Sequence, residues 1–410
     1  MSNKSIPNTH QPWLQCTLGD LGTFRKGSGI RKNEVLPYGI PCVRYGEIYT
    51  THQSAIHRCH SFIDQSTASQ SERLEYGDVI FAVSGETSED IGKCSTFLGS
   101  YEAYVGSDTL VLRPRGVDPI YLGYALNYGE VLRQKQMLGQ GDAVVHLSLT
   151  NLLKVKISLP TFPEQEAIGK QLAQVDADLD SIDKLIAKKR DIKQGAMQQL
   201  LTGKTRLPGF SEKWKEVMLG GIGTFSGGTG FPLRFQGNDL GDIPFYKVSD
   251  MNNQGNEIFM RKANNYVNRS QLQILGAKPF SAGSIVFAKV GAAVFLERKR
   301  MLTVESCLDN NMAGYTLQSL EEDPKFIYHW FQQFRLSDLV AATALPSINT
   351  KQLSKISCTL PSAIQEQTAI AEVLSDMDAE IDALVARREK TALIKTGMMQ
   401  ELLTGRTRLL

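Results

Sequence analysis

Apolar residues recur at Ile168, Leu172, Val175, Leu179, Ile182 and Ile186, steps of four and three that place them on one stripe of a helix. The pattern returns 202 residues later at Ile370, Leu374, Met377, Ile381 and Leu384. A repeat of about 3.5 residues is the seam that lets one helix pack along another. The seam weakens at Lys188-Lys189-Arg190 and at Arg387-Arg388, then is expected to resume at Ile192, Ala196 and Leu200, and at Ile394, Met398 and Leu402. Pro163 suits the first turn of such a helix, and Gly203 and Gly405 suit the left-handed residue that ends one. A helix of this length cannot bury its stripe alone. Two in one chain are therefore expected to pack on each other, antiparallel, with a globular domain at each end.

The copies match beyond periodicity. Glu-Gln-x-Ala-Ile opens both (Glu164 to Ile168, Glu366 to Ile370), Asp-Ala stands in the middle (Asp176, Asp378), and Leu-Leu-Thr-Gly-basic-Thr-Arg-Leu closes both (Leu200 to Leu207, Leu402 to Leu409). An internal repeat with so long a period makes each copy half of a duplicated protein rather than a solenoid unit. The globular parts repeat too. Trp13 and Trp214 each precede a glycine-rich opening (Leu18 to Phe24, Leu219 to Phe225). Short apolar strands follow at Gly39 to Tyr45 and Gly241 to Lys247, then at Gly77 to Ala82 and Gly283 to Ala288. Strands at Leu147 to Pro160 and Ile348 to Pro361 lead into the helices. Between them the halves diverge: Val83 to Lys93 is small and acidic, whereas Lys289 to Arg300 is apolar and then basic. The expected fold is α+β, with two mixed α/β domains at 1–160 and 208–361 and two spacer helices at 161–207 and 362–410. Shared scaffold with different loops suits one framework reading two targets.

Composition sets limits. The 410 residues are 42% hydrophobic with a net charge of +2, ordinary for a globular chain and too nearly neutral to identify a polyanion partner. Met1 to Gln15 is polar, no run reaches the ~18 apolar residues of a membrane span, and the six cysteines lack CxxC spacing; a cytoplasmic protein with reduced thiols is the expectation. His52, His57, Cys59 and His60 lack a distant second ligand pair, so a polar loop is favoured over zinc. Thr202-Gly203-Lys204-Thr205 lacks the upstream glycine of a phosphate-binding loop and reads as a helix cap. Neither a nucleophile elbow, an HExxH metal motif nor a Pro-Pro methyltransferase tetrad occurs, which favours a reader over a catalyst.

Leu159-Pro160-x-x-Pro163-Glu164-Gln165-x-Ala167-Ile168 followed by Leu200 to Phe210 and a tryptophan, and then the second copy, resembles the specificity subunits of type I restriction–modification enzymes across essentially the whole chain. One departure is an extra residue after Pro361, which predicts a slightly different start for the second helix. The resemblance implies two target-recognition domains, each reading one half of a bipartite, asymmetric site on double-stranded DNA, with the helices as spacer and as docking surface for two modification (methyltransferase) subunits. It further implies that a restriction (translocase–nuclease) subunit can join, that S-adenosylmethionine belongs to the modification subunits and ATP and Mg to the restriction subunit, and that this chain is non-catalytic and carries no cofactor. Candidate DNA contacts on this basis are Arg25, Lys26, Arg44, Tyr45 and Lys93 in the first domain and Tyr246, Lys247, Lys289, Arg298, Lys299 and Arg300 in the second, with the polar loops Gly139 to His146 and Ser347 to Asn349 as weaker ones. Two other classes stay open: an autonomous DNA-modifying or cleaving enzyme, and a coiled-coil scaffold without a DNA role.

Overall fold

A computed structural model describes residues 12–85, 91–141, 145–340 and 346–409. The chain divides into two compact units, Met1–Lys184 with Ala386–Leu410, and Leu185–Val385, so each long helix contributes to both. Among the described residues no helix is long and apolar enough to cross a membrane.

In the first unit a five-stranded sheet runs Gly22–Lys26, Thr109–Pro114, Val79–Ala82, Cys94–Phe97, Ala55–Ile56, with only the last pair parallel. The second unit repeats it as Gly223–Gly227, Met312–Leu317, Ile285–Ala288, Lys299–Leu302, Phe259–Met260, again with a parallel edge pair. The central strands Val79–Ala82 and Ile285–Ala288 are buried on both faces, which is why they read as unbroken apolar runs. A smaller sheet is built around Ile40–Val43 in one unit and Ile243–Tyr246 in the other. Two details differ from the sequence reading. The stretches before the long helices begin as one-turn helices, Leu149–Leu152 and Thr350–Leu353, before the strands Lys156–Leu159 and Ser357–Leu360. Arg25 and Lys26, expected to follow the strand of the glycine-rich opening, lie within it, in Gly22–Lys26.

The long helices span Phe162–Leu200 and Ile364–Leu402, the same positions of the repeat at both ends. The extra residue after Pro361 is absorbed in the preceding loop. Gly203 and Gly405 close them with φ of +68° and +71°, a conformation glycine takes without steric cost. Packing is antiparallel within each unit. In the first, Glu164, Asp176 and Asp183 meet Arg408, Lys395 and Arg388 in that order. In the second, Lys189, Lys193 and Arg206 meet Glu380, Asp378 and Glu366. Lys189 and Arg388, from the charged runs at mid-helix, thus pair across the helices.

Ile168 and Leu172 enter the core of the first unit beside Leu402, and Ile370 and Leu374 enter that of the second beside Met197 and Leu200. Burying each such side chain contributes about 1.5–3 kcal/mol. Ile182, Ile186 and Ile381 are buried further along, whereas Val175, Leu179, Met377 and Leu384 are half-buried. The expected resumption of the seam at Ile192 and Ile394 fails: both are about half exposed. The inward position there belongs to the next residue, Lys193 or Lys395, which pairs with the aspartate of the opposite Asp-Ala motif.

The terminal motifs lock crosswise. Arg408 makes a two-pronged bond to Glu164 (Nε–Oε1 and Nη2–Oε2, both 2.6 Å), and Arg206 does the same to Glu366 (2.5 and 2.6 Å). The glutamates are 1% and 0% exposed. Each arginine lies over a tryptophan, Trp13 at 5.6 Å and Trp214 at 5.7 Å. The adjacent glutamines tie helix to domain: Gln165 accepts from the Asp118 amide (2.9 Å) and donates to the Pro160 carbonyl (2.8 Å), and Gln367 accepts from Asp323 (2.9 Å) and donates to Pro361 (2.9 Å). Asp118 and Asp323 in turn cap the helices Pro119–Ala125 and Pro324–Gln333.

Removing either arginine strands a buried carboxylate, which is strongly destabilising. Arg408→Ala and Arg206→Ala are each expected to lower the thermal midpoint by roughly 5 °C or more; a calorimetric scan that superimposes on wild type would show that the lock is dispensable. His329, packed on the second long helix with Nε2 3.2 Å from Ser375 Oγ, is pushed down to about 3, by burial first and then by the charges of Lys193 and Lys325. In the unfolded chain it titrates near ~6.5, so between these values the unfolded state binds a proton that the folded state refuses. Stability is therefore unaffected above about pH 6.5 and falls as pH drops through that window. His329→Gln should flatten the pH dependence of unfolding between about pH 6.5 and 4, as measured by denaturant melts; an unchanged slope would assign that proton uptake to other groups.

Candidate nucleic-acid interface

In the first unit, strand Ile40–Val43 delivers Arg44 to the start of the helix Tyr45–Thr50. The Arg44 amide donates to Glu47 Oε2 (2.8 Å), and the other oxygen of this buried carboxylate accepts from Ser61 Oγ (2.7 Å). Arg44 and the exposed Tyr45 line a cleft of about 570 Å³ shared with Arg31, Lys32, Thr50, Thr51, Ser107 and Asp108. Its far wall is held tightly: the Ser107 amide and hydroxyl both donate to the Gly29 carbonyl (3.2 and 3.0 Å). Ile30 and Asp108 adopt φ of +55° and +61°, a backbone region that persists in side-chain-bearing residues only where the surroundings impose it. Three cations against Glu47 and Asp108 leave the cleft net positive.

Three segments meet at this end of the five-stranded sheet. Lys93 Nζ donates to the Tyr49 carbonyl (3.1 Å), Tyr49 Oη to the Ser84 carbonyl (2.8 Å), and Ser84 Oγ lies 3.0 Å from His146 Nδ1. The turn after Arg44, the hairpin after Val79–Ala82 and the polar loop ending at His146 are therefore joined. Residues 86–90 of that hairpin and 142–144 of that loop lie outside the described residues. Lys26 is exposed on the same strand end, and Arg25 pairs with Glu72 at 3.1 Å; an exposed pair of this kind contributes about 0–1 kcal/mol and leaves the arginine available.

The second unit repeats the arrangement. Strand Ile243–Tyr246 delivers Lys247, whose amide donates to Asp250 Oδ2 (2.7 Å) and whose Nζ donates to Gln236 Oε1 (2.8 Å). Arg298 donates to Asn252 Oδ1, and Val290 bridges to Ser347, so the same three segments join again. Lys289 follows the central strand, half-buried, with its ammonium against Gly227. Asn349 caps the helix Thr350–Leu353.

Two candidates are corrected. Tyr246 is fully buried, with its hydroxyl bonded to the Met260 carbonyl (3.1 Å). It holds the strand position of Val43, each pairing in parallel with its neighbouring strand, so the residue matching Arg44 is Lys247. Lys299 is 2% exposed and bound to Glu297 (2.8 Å) and the Phe334 carbonyl (2.6 Å). Neither can reach an external phosphate. Arg300 is half-buried, donates to the Lys299 carbonyl (3.0 Å), and is held below the ordinary guanidinium range by burial. The cleft adds Arg31, Lys32, Thr50 and Thr51, which the sequence reading did not name as candidates; the glycine- and cation-rich turn from Arg25 to Arg31 was the available signal. His52 and His60 are ring neighbours at 5.6 Å, with burial lowering the His52 imidazole. Among the described residues no three His, Cys, Asp or Glu side chains are grouped to hold a metal ion.

Comparison with known proteins fits this duplicated architecture. The family model for the type I restriction modification DNA specificity domain matches twice, over residues 10–189 and 211–393. A putative type I restriction enzyme MjaX specificity subunit from Methanocaldococcus jannaschii is 26% identical over 357 residues, covering 82% of this chain and 80% of that one. The type I restriction enzyme MjaVIII specificity subunit of the same organism is 26% identical over 316 residues, covering 71% of each. The fold resembles the crystal structure of a type I restriction–modification S subunit from M. genitalium, with a TM-score of 0.62 at 15% identity over 97% of both chains. A chain from a structural study of assembly and conformational transition in the type I R-M system gives 0.55 at 15% identity, covering 97% of this chain and 99% of that one. The chain belongs to the type I restriction–modification DNA specificity family and carries its domain in two copies.

Proposed function

We propose that this chain is the DNA-reading subunit of a type I restriction–modification complex, each domain contacting one half of a bipartite, asymmetric site. One observation carries the reading. In each unit three loop segments converge at the same end of the five-stranded sheet and present cations there, the hairpin among them differing in composition between the halves, whereas the shared motifs are consumed in holding helix to domain. A constant scaffold with a variable basic surface suits recognition of a polyanion whose sequence differs between the halves. Arg44 and Lys247, at equivalent strand ends, contact phosphates or guanine edges. The helix pair serves as the spacer element and as the docking surface for two modification subunits. Those subunits supply S-adenosylmethionine and methyl transfer, a restriction subunit supplies ATP- and Mg-dependent cleavage, and this chain supplies the address without catalysis.

Exchanging residues 13–158 for another domain of the family should change one half of the sequence methylated in cells and leave the other half intact. Genome-wide methylation mapping reads the result, and a change in both halves would sink the modular reading. Purified chain that methylated or cut DNA unaided would make it an enzyme instead. Arg44→Ala and Lys247→Ala should each weaken specific binding about ten-fold and reduce the slope of log affinity against log salt by about one. An unchanged slope in both variants would remove these side chains from the interface.

A further inference from the structure

The hairpin joining Ile285–Ala288 to Lys299–Leu302 does more than carry cations. Its tip is a single turn, Ala292–Leu296, ending in two adjacent apolar side chains, Phe295 at 54% and Leu296 at 55% exposure. A lone exposed apolar residue needs no explanation. This pair, however, is held outward by a built support. Val294 is buried, and the Gly291 amide donates to the Pro346 carbonyl (2.8 Å). Glu297, immediately after the tip, takes a left-handed φ of +52°, which side-chain-bearing residues rarely adopt. Its carboxylate accepts from the Leu336 and Ser337 amides (3.0 and 2.7 Å) and from the buried Lys299 ammonium (2.8 Å). Hydrophobic burial would favour folding Phe295 and Leu296 back; against it, the contacts of Glu297 fix the chain immediately after the tip.

Charge identifies what the tip meets. Lys289 precedes it and Arg298 follows it, while Glu297 is neutralised by Lys299. Arg298 is bonded to Asn252, next to the turn that Lys247 opens, so the tip belongs to the basic end of the domain. Duplex DNA presents apolar base faces behind a rail of phosphates, the complement of an apolar pair flanked by cations. We propose that Phe295 and Leu296 form a wedge that the second domain inserts between adjacent base pairs, unstacking one step and bending the duplex; this rests on the DNA-reading function above. Inserting large apolar side chains at a base step unstacks and kinks the duplex. The corresponding segment of the first domain, Val83 to Lys93, carries Glu86, Glu89 and Asp90 and no adjacent pair of large apolar residues, so the wedge is one-sided.

The test uses the full chain co-purified with its modification subunits and duplexes of the site fixed by methylation mapping. Each duplex carries 2-aminopurine at one position of the second half-site or spacer. Wild type should raise the fluorescence at one step. The double variant F295A/L296A should lose that signal and bind roughly ten-fold more weakly, with an unchanged salt slope because no phosphate contact is removed. Leu320→Ala, at a fully exposed apolar residue elsewhere in the same unit, should behave as wild type. Equal unstacking and affinity in F295A/L296A would overturn the wedge. Loss of modification-subunit assembly with DNA binding intact would also overturn it and assign the tip to a protein contact. Wild type that prefers the mapped duplex no more than random DNA would overturn the underlying function, an outcome distinct from either.

Discussion

Glu164 and Glu366 are carboxylates removed from water, and an unpaired charge in that position would cost several kcal/mol. Each is met by an arginine more than 150 residues away in sequence, Arg408 or Arg206, on the last turns of the opposite repeat. The geometry leaves little choice of register, because a guanidinium satisfies both carboxylate oxygens only in plane. Trp13 and Trp214 cover the arginines, and Gln165 and Gln367 join the same corners to the capped helices of the domains. Helix start, helix end, domain entry and domain helix are thereby tied at one point in each unit.

With those corners fixed, the interior of the helix pair needs less specificity. Asp176 and Asp378 take Lys395 and Lys193, and the two sites then diverge. In the first unit Tyr124 donates its hydroxyl to Asp176 (2.6 Å); at the matching place in the second, His329 turns to Ser375. Burial holds Asp378 above the ordinary carboxylate range, with Lys193 pulling the other way. The repeat keeps its charge pairing while the neighbouring side chain drifts, as expected where the pair sets register and the neighbour only fills space.

The interhelix ion pairs draw on none of the loops at the cation-bearing end of each sheet, so the composition of those loops is free to vary. The first domain uses them for a walled cleft with Arg31, Lys32, Arg44 and Tyr45, and the second for a hairpin whose tip is held out by Glu297 and Lys299. One scaffold thus supports two different surfaces.

Much of the fold is legible in the sequence. Period-3.5 stripes, Pro163, Gly203 and Gly405 determine two long helices with their ends, and the unbroken apolar runs at Val79–Ala82 and Ile285–Ala288 determine buried strands, because these signals are local. The duplication is equally plain. The paired motifs announce their importance but not their partners: nothing in Glu-Gln-x-Ala-Ile says that its glutamate will meet Arg408 rather than solvent. Only tertiary packing decides that, and likewise that Lys193 and Lys395, not Ile192 and Ile394, face inward, since a single helical step of about 100° separates the two answers. The site was least legible. Tyr246 and Lys299 match their neighbours in residue type, yet strand register sends the first into the core, and the Glu297 carboxylate draws the second after it. Charge and aromatic character are written in the sequence; which face they reach depends on pairing with strands distant along the chain, and that was settled only by the folded structure.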